Sequence, residues 1–126
     1  MLHVRDTDID GVRAGAPHAR TLKHLIAPWT VGSDAMWVGF SIVDTNSSSN
    51  PHEHSNEEIF IVLEGHGRAV VNDEADMISP GSVVRVPPGA RHQLINDGTG
   101  VLKVACVASP AFTQTDFNIA HELNSR

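Results

Sequence analysis

The chain has 126 residues, of which 40% are hydrophobic and 19% are charged, the composition of an ordinary globular domain. Nine Lys and Arg stand against 15 Asp and Glu, so the formal net charge is −6. Because the basic residues are few and scattered, a nucleic-acid or anionic-membrane partner is not expected. This length can bury one core but is too short to divide, so we expect a single domain over residues 1–126.

Signals for export or membrane insertion are missing from the sequence. The N-terminus lacks the apolar run of a signal peptide, and no stretch approaches the roughly 20 apolar residues that cross a bilayer. Cys106 is the single cysteine, which rules out an intrachain disulfide. A lone cysteine fits the reducing cytoplasm, where we expect the protein to reside.

Short apolar runs separated by turn residues predict a chain built mostly of β-strands. The runs are rich in Val and Ile and most are too short for amphipathic helices. The predicted strands are 20–28, 36–44, 58–65, 67–73, 82–89, 92–97 and 101–109. The connecting sequences, which include TNSSSNP (45–51), EGHG, NDEAD, PPGAR and NDGTG, are rich in turn-forming residues. This pattern predicts a sandwich or a barrel.

Helical spacing is found in the tail alone, TQTDFNIAHELNSR (113–126). Thr115 is a suitable N-cap for a helix there. The apolar stripe of that helix would consist of Phe117, Ile119, Ala120 and Leu123. We therefore predict one short C-terminal helix.

Alternation along a strand predicts which side chains face the interior. In the strand 36–44, one face consists of Met36, Val38, Phe40 and Ile42. We assign this face to the barrel lining, with Met36 and Phe40 shaping a pocket. In the strand 101–109, the residues predicted to face inward are Leu102, Val104, Cys106 and Ala108. Cys106 is interpreted as a small buried hydrophobe that borders the pocket.

Two histidines and a glutamate fall within PHEHSNEEIF, residues 51–60. His52 and His54 are two positions apart, so in an extended segment they point to the same side. Glu58 opens the next predicted strand and can face back toward them, and Phe60 and Val62 share its parity and its predicted place in the lining. Imidazole nitrogens and a carboxylate converging at about 2.0–2.2 Å suit a divalent metal. The alternative is that all three are solvated polar residues in a loop.

A second segment, GSVVRVPPGARHQLIN (81–96), brings a further histidine. A turn made by Pro87 and Gly89 delivers His92 to the start of the following strand, where it is a candidate fourth ligand. Arg91 stands beside His92 at the predicted mouth and could hold a substrate carboxylate, the alternative being a solvated arginine. Leu94 is predicted to line the barrel, and Asn96 is interpreted as a strand-end hydrogen-bonding residue.

The two segments resemble the paired motifs of the cupin superfamily. The first motif, H-x-H-x3-E-x6-G, is matched by His52, His54, Glu58 and Gly65. The second, G-x5-P-x-G-x2-H-x3-N, is matched by Gly81, Pro87, Gly89, His92 and Asn96. One departure is Asn46, which stands where the family usually has a glycine. The resemblance implies an all-β jelly-roll barrel of two antiparallel sheets, with its core at about 36–109 and commonly paired as a homodimer.

In metal-bearing cupins, the residues that match His52, His54, Glu58 and His92 hold one metal ion. The resemblance therefore implies one divalent metal per chain, and this ligand set without a thiolate suits Fe, Mn, Ni, Co or Zn. We expect a metal-dependent enzyme for a small oxygenated substrate that chelates the metal, favoured as a dioxygenase or an oxalate-decarboxylase-like oxidoreductase. The alternatives are a metal-dependent isomerase, lyase or cyclase, and a non-enzymatic small-ligand-binding cupin.

Overall fold

The computed structural model describes residues 1–116. Its strands are β1 (Val12–Ala14), β2 (Arg20–Ile26), β3 (Trp37–Val43), β4 (Ser47–Ser48), β5 (Glu57–Glu64), β6 (Gly67–Val71), β7 (Glu74–Ile78), β8 (Val83–Val86), β9 (His92–Asn96) and β10 (Leu102–Ser109). Its short helices are a 3-10 turn at Asp6–Asp8 and α1 at Pro28–Val31. Residues 114–116 are helical, and the remainder of the predicted C-terminal helix lies outside the described residues.

The strands form two sheets in which every pairing is antiparallel. One sheet has six strands in the order β1-β2-β3-β10-β5-β8, and the other has four in the order β4-β9-β6-β7. The larger sheet supplies Leu102 and Val104, both 0% exposed, and the smaller sheet supplies Ala69 and Leu94 to the same core. This confirms the predicted β-barrel of two antiparallel sheets. Within the described residues, no helix is long and apolar enough to cross a membrane.

The predicted alternation of β10 is confirmed. Leu102, Val104 and Ala108 are each 0% exposed, and Cys106 is 4% exposed. The intervening Lys103 lies on the outer face, where its ammonium group pairs with a carboxylate of the N-terminal segment. A charged residue on one face and a fully buried apolar row on the other give the strand one stable orientation in a two-layer fold.

The predicted orientation of β3 is wrong. Trp37 is 2% exposed and faces the interior, whereas Met36 is 45% exposed and Phe40 lies on the outer face under Lys103. Both faces of this strand carry apolar side chains, so alternation alone does not decide between them. Gly39 decides which face is buried, because a Cβ at this position would lie 2.3 Å from the Trp37 ring. The missing side chain leaves room for the indole on the inner face.

The sequence NDEAD, predicted to be a turn, contains the start of a strand instead. Val71 pairs with Glu74, so the loop between β6 and β7 is only Asn72 and Asp73. Asn72 takes a positive φ of 52°, which two-residue hairpin loops favour. β7 lies at the edge of its sheet and four of its five residues are exposed, so it lacks the apolar alternation by which a strand is recognised.

The predicted loop 45–51 also contains a short strand. Asn46 adopts a φ of 58°, in the left-handed region that glycine enters most readily and asparagine tolerates. Ser47 and Ser48, which follow it, pair with the end of β9. The departure from the cupin pattern at Asn46 therefore preserves the backbone conformation that the turn requires.

We expect Asn96→Ala to lower the free energy of unfolding by about 1–3 kcal/mol, because it removes the partners of buried backbone groups. Asn96 is buried, with 1% of its surface exposed. Its Nδ2 donates to the carbonyls of Val43 at 2.9 Å and Gly100 at 2.8 Å, and its Oδ1 accepts from the Gly98 N–H at 3.0 Å. Urea unfolding measures the loss, with the exposed Thr99→Ala in the same loop as the control. Equal stability of the two variants would contradict the assigned role.

Candidate metal centre

Three histidine rings from two distant segments meet inside the barrel. His52 and His54 precede β5, and His92 is the first residue of β9. The backbone holds the segments together, because the His52 N–H donates to the His92 carbonyl at 3.2 Å and the His92 N–H donates to the His52 carbonyl at 2.9 Å. One ring nitrogen of each histidine lies within 4.8 Å of the others.

All three rings are oriented in the same way, with Nδ1 against a backbone carbonyl two residues away. The Nδ1 contacts are His52 with Asn50 at 2.7 Å, His54 with Asn56 at 3.1 Å, and His92 with Ala90 at 2.9 Å. A carbonyl oxygen can only accept, so each Nδ1 carries a proton. In the neutral ring each Nε2 then presents a lone pair, and the backbone has fixed both the tautomer and the ring orientation.

Glu58 places a carboxylate beside two of these nitrogens, while the group of ligand atoms within 4.8 Å of one another consists of the three histidines. Glu58 belongs to β5, is 5% exposed, and its Oε1 lies 3.1 Å from Nε2 of His54 and 3.3 Å from Nε2 of His92. Two ligand atoms about 2.1 Å from one metal are about 3.0 Å apart at a right angle and about 3.4 Å apart at a tetrahedral angle. Both measured separations fall within that range.

The buried Nε2 of His92 is consistent with a metal ligand. The His92 side chain is 1% exposed, and its Nε2 is the one buried side-chain nitrogen or oxygen of the described residues that has no hydrogen-bond partner. Leaving such an atom unsatisfied costs about 1–3 kcal/mol. A metal bound by His92 would satisfy it, and three imidazoles with one carboxylate suit Fe, Mn, Ni, Co or Zn.

The electrostatics of the site favour ligand-competent protonation states at two positions. Burial, reinforced by the neighbouring His92, lowers the pKa of His52 to about 4, so this ring is neutral at physiological pH. Burial acts to raise the pKa of Glu58, but contact with His54 and His92 outweighs it and holds the pKa below its usual value. Burial acts to lower the pKa of His54, but Glu58 outweighs it and the pKa is raised. A metal therefore competes with a proton at His54.

The three histidines and Glu58 border a cavity of about 290 Å³, near the lower end of the range for small-molecule sites. Its apolar walls include the aromatic rings of Trp37, Phe60 and Phe112. Among the predicted lining residues, Phe60, Leu94 and Cys106 lie in this wall. Burial raises the pKa of the Cys106 thiol well above its ordinary value, so the thiol is neutral at physiological pH.

Four predicted lining residues lie elsewhere. Met36 and Phe40 are excluded by the orientation of β3, and Val62, 1% exposed, packs in the core away from the cavity wall. Arg91 is exposed and its backbone N–H donates to Asn72 Oδ1 at 3.1 Å. Arg91 directly precedes His92, and alternation places their side chains on opposite sides of the strand.

The structure adds cavity residues that the sequence analysis did not single out. They include Arg20, Trp37, Ser41, Asn50 and Phe112. Arg20 opens an apolar strand and shares parity with Leu22, which also lines the cavity, and this parity is the signal available in the sequence. The shared parity of Arg20 and Leu22 does not show which face of β2 is the inner one.

Comparisons with known proteins agree with this architecture. The family model of the Cupin domain (Cupin_2) matches residues 39–108. An uncharacterized protein of Methanocaldococcus jannaschii is 31% identical over 80 residues, which is 63% of this chain and 64% of that protein, so this chain spans less than two thirds of it. An uncharacterized protein of Streptomyces coelicolor is 31% identical over 75 residues, 60% of this chain and 70% of that protein.

Solved structures share the fold. A protein of Thermotoga maritima described as a predicted oxalate decarboxylase superposes with a TM-score of 0.79 at 23% identity, over 86% of this chain and 99% of that one. The polyketide cyclase RemF of Streptomyces resistomycificus superposes with a TM-score of 0.74 at 27% identity, over 86% of this chain and 79% of that one.

Proposed function

Since the chain belongs to the cupin domain family, we propose that it is a metal-dependent enzyme acting on a small oxygenated molecule that chelates the metal. The observation that carries the proposal is the common orientation of the three rings. Every Nδ1 is held by a carbonyl, so Nε2 is the ligand atom of each ring; that of His54 lies beside Glu58 and that of His92 is buried without a hydrogen-bond partner. A solvated loop would have no reason to hold three imidazoles in this way.

The metal would be held by His52, His54, Glu58 and His92, and when bound it would supply Lewis acidity and a template for a chelating substrate. A bound Fe or Mn ion held by these four residues would supply a place for a chelating substrate or dioxygen. The chain's own residues fix the rings and surround them with a small cavity whose walls are largely apolar. Charge interactions in such a site are stronger than in bulk water.

We favour oxidoreductase chemistry of the dioxygenase or decarboxylase type, because a bound Fe or Mn ion would accommodate dioxygen or a bidentate substrate. A non-redox cyclase or isomerase is the second candidate, supported by the 27% identity to the polyketide cyclase RemF. Both candidates use the same ligands and cavity. They differ in whether the reaction consumes dioxygen or releases carbon dioxide.

We expect Fe(II)- or Mn(II)-reconstituted protein to turn over at least one member of a panel of small hydroxy and oxo acids. Dioxygen uptake at an electrode indicates an oxygenase, and carbon dioxide release without uptake indicates a decarboxylase. An isomeric or cyclised product with neither gas indicates the second candidate. His54→Ala is the matched inactive variant. Saturable heat of binding without turnover across the panel would contradict the enzyme proposal and favour a ligand-binding cupin.

A further inference from the structure

Arg20, at the start of β2, is a buried cation without a counter-ion. The residue is 3% exposed, and its guanidinium donates from Nη1 to the His18 carbonyl and from Nη2 to Asn50 Oδ1, each at 3.0 Å. Both acceptors are uncharged. Across residues 1–116, no carboxylate oxygen lies within 4.0 Å of it.

Three exposed arginines, in contrast, are paired with carboxylates. The pairs Arg13–Asp44, Arg68–Asp97 and Arg85–Glu57 have N–O separations of 2.7, 2.8 and 2.7 Å. These pairs are solvated and contribute little to stability. Arg20 is the arginine for which a missing counter-ion matters most, since an uncompensated buried charge is costly.

The Arg20 guanidinium remains charged, and some of its N–H donors have no protein acceptor. Burial lowers the pKa of Arg20 to about 10, which still leaves the group protonated at neutral pH. A guanidinium has five N–H donors. The structure gives protein acceptors to two of them. The fork geometry of the remaining donors is suited to a carboxylate.

Arg20 lines the same cavity as the three histidines, and Asn50 joins the two. The Asn50 side chain accepts from Arg20, while its backbone carbonyl holds Nδ1 of His52 at 2.7 Å. The spacing between the guanidinium and the metal centre is therefore set by a single residue. The acidic residues of the wall do not neutralise Arg20: Glu58 contacts His54 and His92 instead, and neither Glu53 nor Asp116 forms an ion pair with Arg20.

We propose that Arg20, positioned by Asn50, is an anion subsite that binds a carboxylate of the substrate while oxygen atoms of the same molecule reach the metal centre. The substrate is then a small hydroxy, oxo or dicarboxylic acid, of a size set by the cavity of about 290 Å³. This substrate class rests on the proposed function, although the anion subsite itself does not need the metal.

Calorimetric titration with malonate and succinate tests the subsite, using the full chain as purified and after metal removal with a chelator. Uncharged succinamide is the matched control ligand. A charge-assisted hydrogen-bond pair is worth about 1.5–3 kcal/mol, so Arg20→Met should weaken carboxylate binding by about tenfold to a hundredfold. Arg91→Met removes an exposed arginine outside the wall and should bind as the wild type does.

Asn50→Asp is the sharper variant. It replaces an amide by a carboxylate of nearly the same shape, and keeps the backbone carbonyl that holds His52. The new carboxylate neutralises Arg20, so we expect a higher Tm together with at least about tenfold weaker carboxylate binding. If Arg20 and Asn50 served packing alone, Asn50→Asp would raise the Tm without weakening carboxylate binding. Asn50→Asp also decides the matter if Arg20→Met fails to fold.

Three results would overturn the subsite: wild-type protein that binds neither dicarboxylate, Asn50→Asp protein that binds both as well as the wild type, or Arg20→Met protein that does so. The measurement on metal-free protein separates the two proposals. If the metal site were wrong, carboxylate binding would persist while the metal content stayed near zero. If the subsite were wrong, the metal content would be normal and Arg20→Met would bind the dicarboxylates unchanged.

Discussion

His92→Ala protein should emerge from purification folded and without bound metal. The substitution removes one of the four proposed ligands and the one whose Nε2 is buried with no hydrogen-bond partner among the described residues. Losing a residue that merely supports a ligand costs roughly 10- to 100-fold in metal affinity, and we expect the loss of the ligand itself to exceed about 100-fold. Elemental analysis after gel filtration, with no histidine tag, gives the metal content per chain, and competition with a chromogenic chelator gives the affinity.

His66→Ala is the matched control, because His66 is exposed and lies outside the cavity wall. It should retain about one equivalent of metal, as the wild type should. A metal that binds only the folded chain also raises the Tm, so added Fe(II) or Mn(II) should raise the Tm of the wild type and of His66→Ala but not that of His92→Ala. Full metal content in His92→Ala would show that His92 is not a ligand.

Gly65→Ala should lower the free energy of unfolding by about 3–5 kcal/mol or prevent folding. Gly65 has a φ of +88°, and a Cβ there would lie 2.2 Å from the Val101 carbonyl oxygen. That oxygen belongs to the backbone leading into β10, which is paired on one side with β3 and on the other with β5. A strand held on both sides cannot withdraw from the new methyl group without breaking its hydrogen bonds.

Gly81→Ala separates the steric contribution from the conformational one. Gly81 has a φ of +93°, close to that of Gly65, but its Cβ would meet nothing within 4 Å. Its expected loss is therefore the backbone penalty alone, about 1–2 kcal/mol. Urea unfolding of both variants gives the difference. Equal losses would mean that Val101 moves aside and that the contact at Gly65 carries no cost.

The sequence motifs mark these glycines as equivalent, and the structure shows that they are not. Gly65, Gly81 and Gly89 all have positive φ, but only Gly65 of these three is also crowded by the backbone of another strand. Conformational need can be inferred from a turn sequence. Crowding cannot, because Val101 approaches Gly65 only after β5 and β10 have paired.

The misassigned face of β3 has a related cause. Alternation predicts the inner face where a charged residue marks the other parity, as Lys103 did in β10, and fails in β3, where neither parity carries a charge. In β3 the choice depended on whether Gly39 would leave room for the Trp37 indole. This is a packing relation between neighbours two positions apart. The edge strand β7 was missed because it buries only one of its five residues and therefore shows no alternation of apolar and polar side chains.

The sequence by itself determined the β-barrel class and the candidate metal ligands. Both are written locally, in turn residues between apolar runs and in the spacing of His52, His54, Glu58 and His92. Only the tertiary structure decided that the three rings share one orientation, that His92 Nε2 is buried without a hydrogen-bond partner, and that Arg20 lies in the same cavity. The ring orientation depends on backbone carbonyls only two residues away, which the folded turns bring against each Nδ1. The meeting of the rings and the place of Arg20 depend on contacts between segments about 30 to 40 residues apart, and burial arises only when the sheets close over the site.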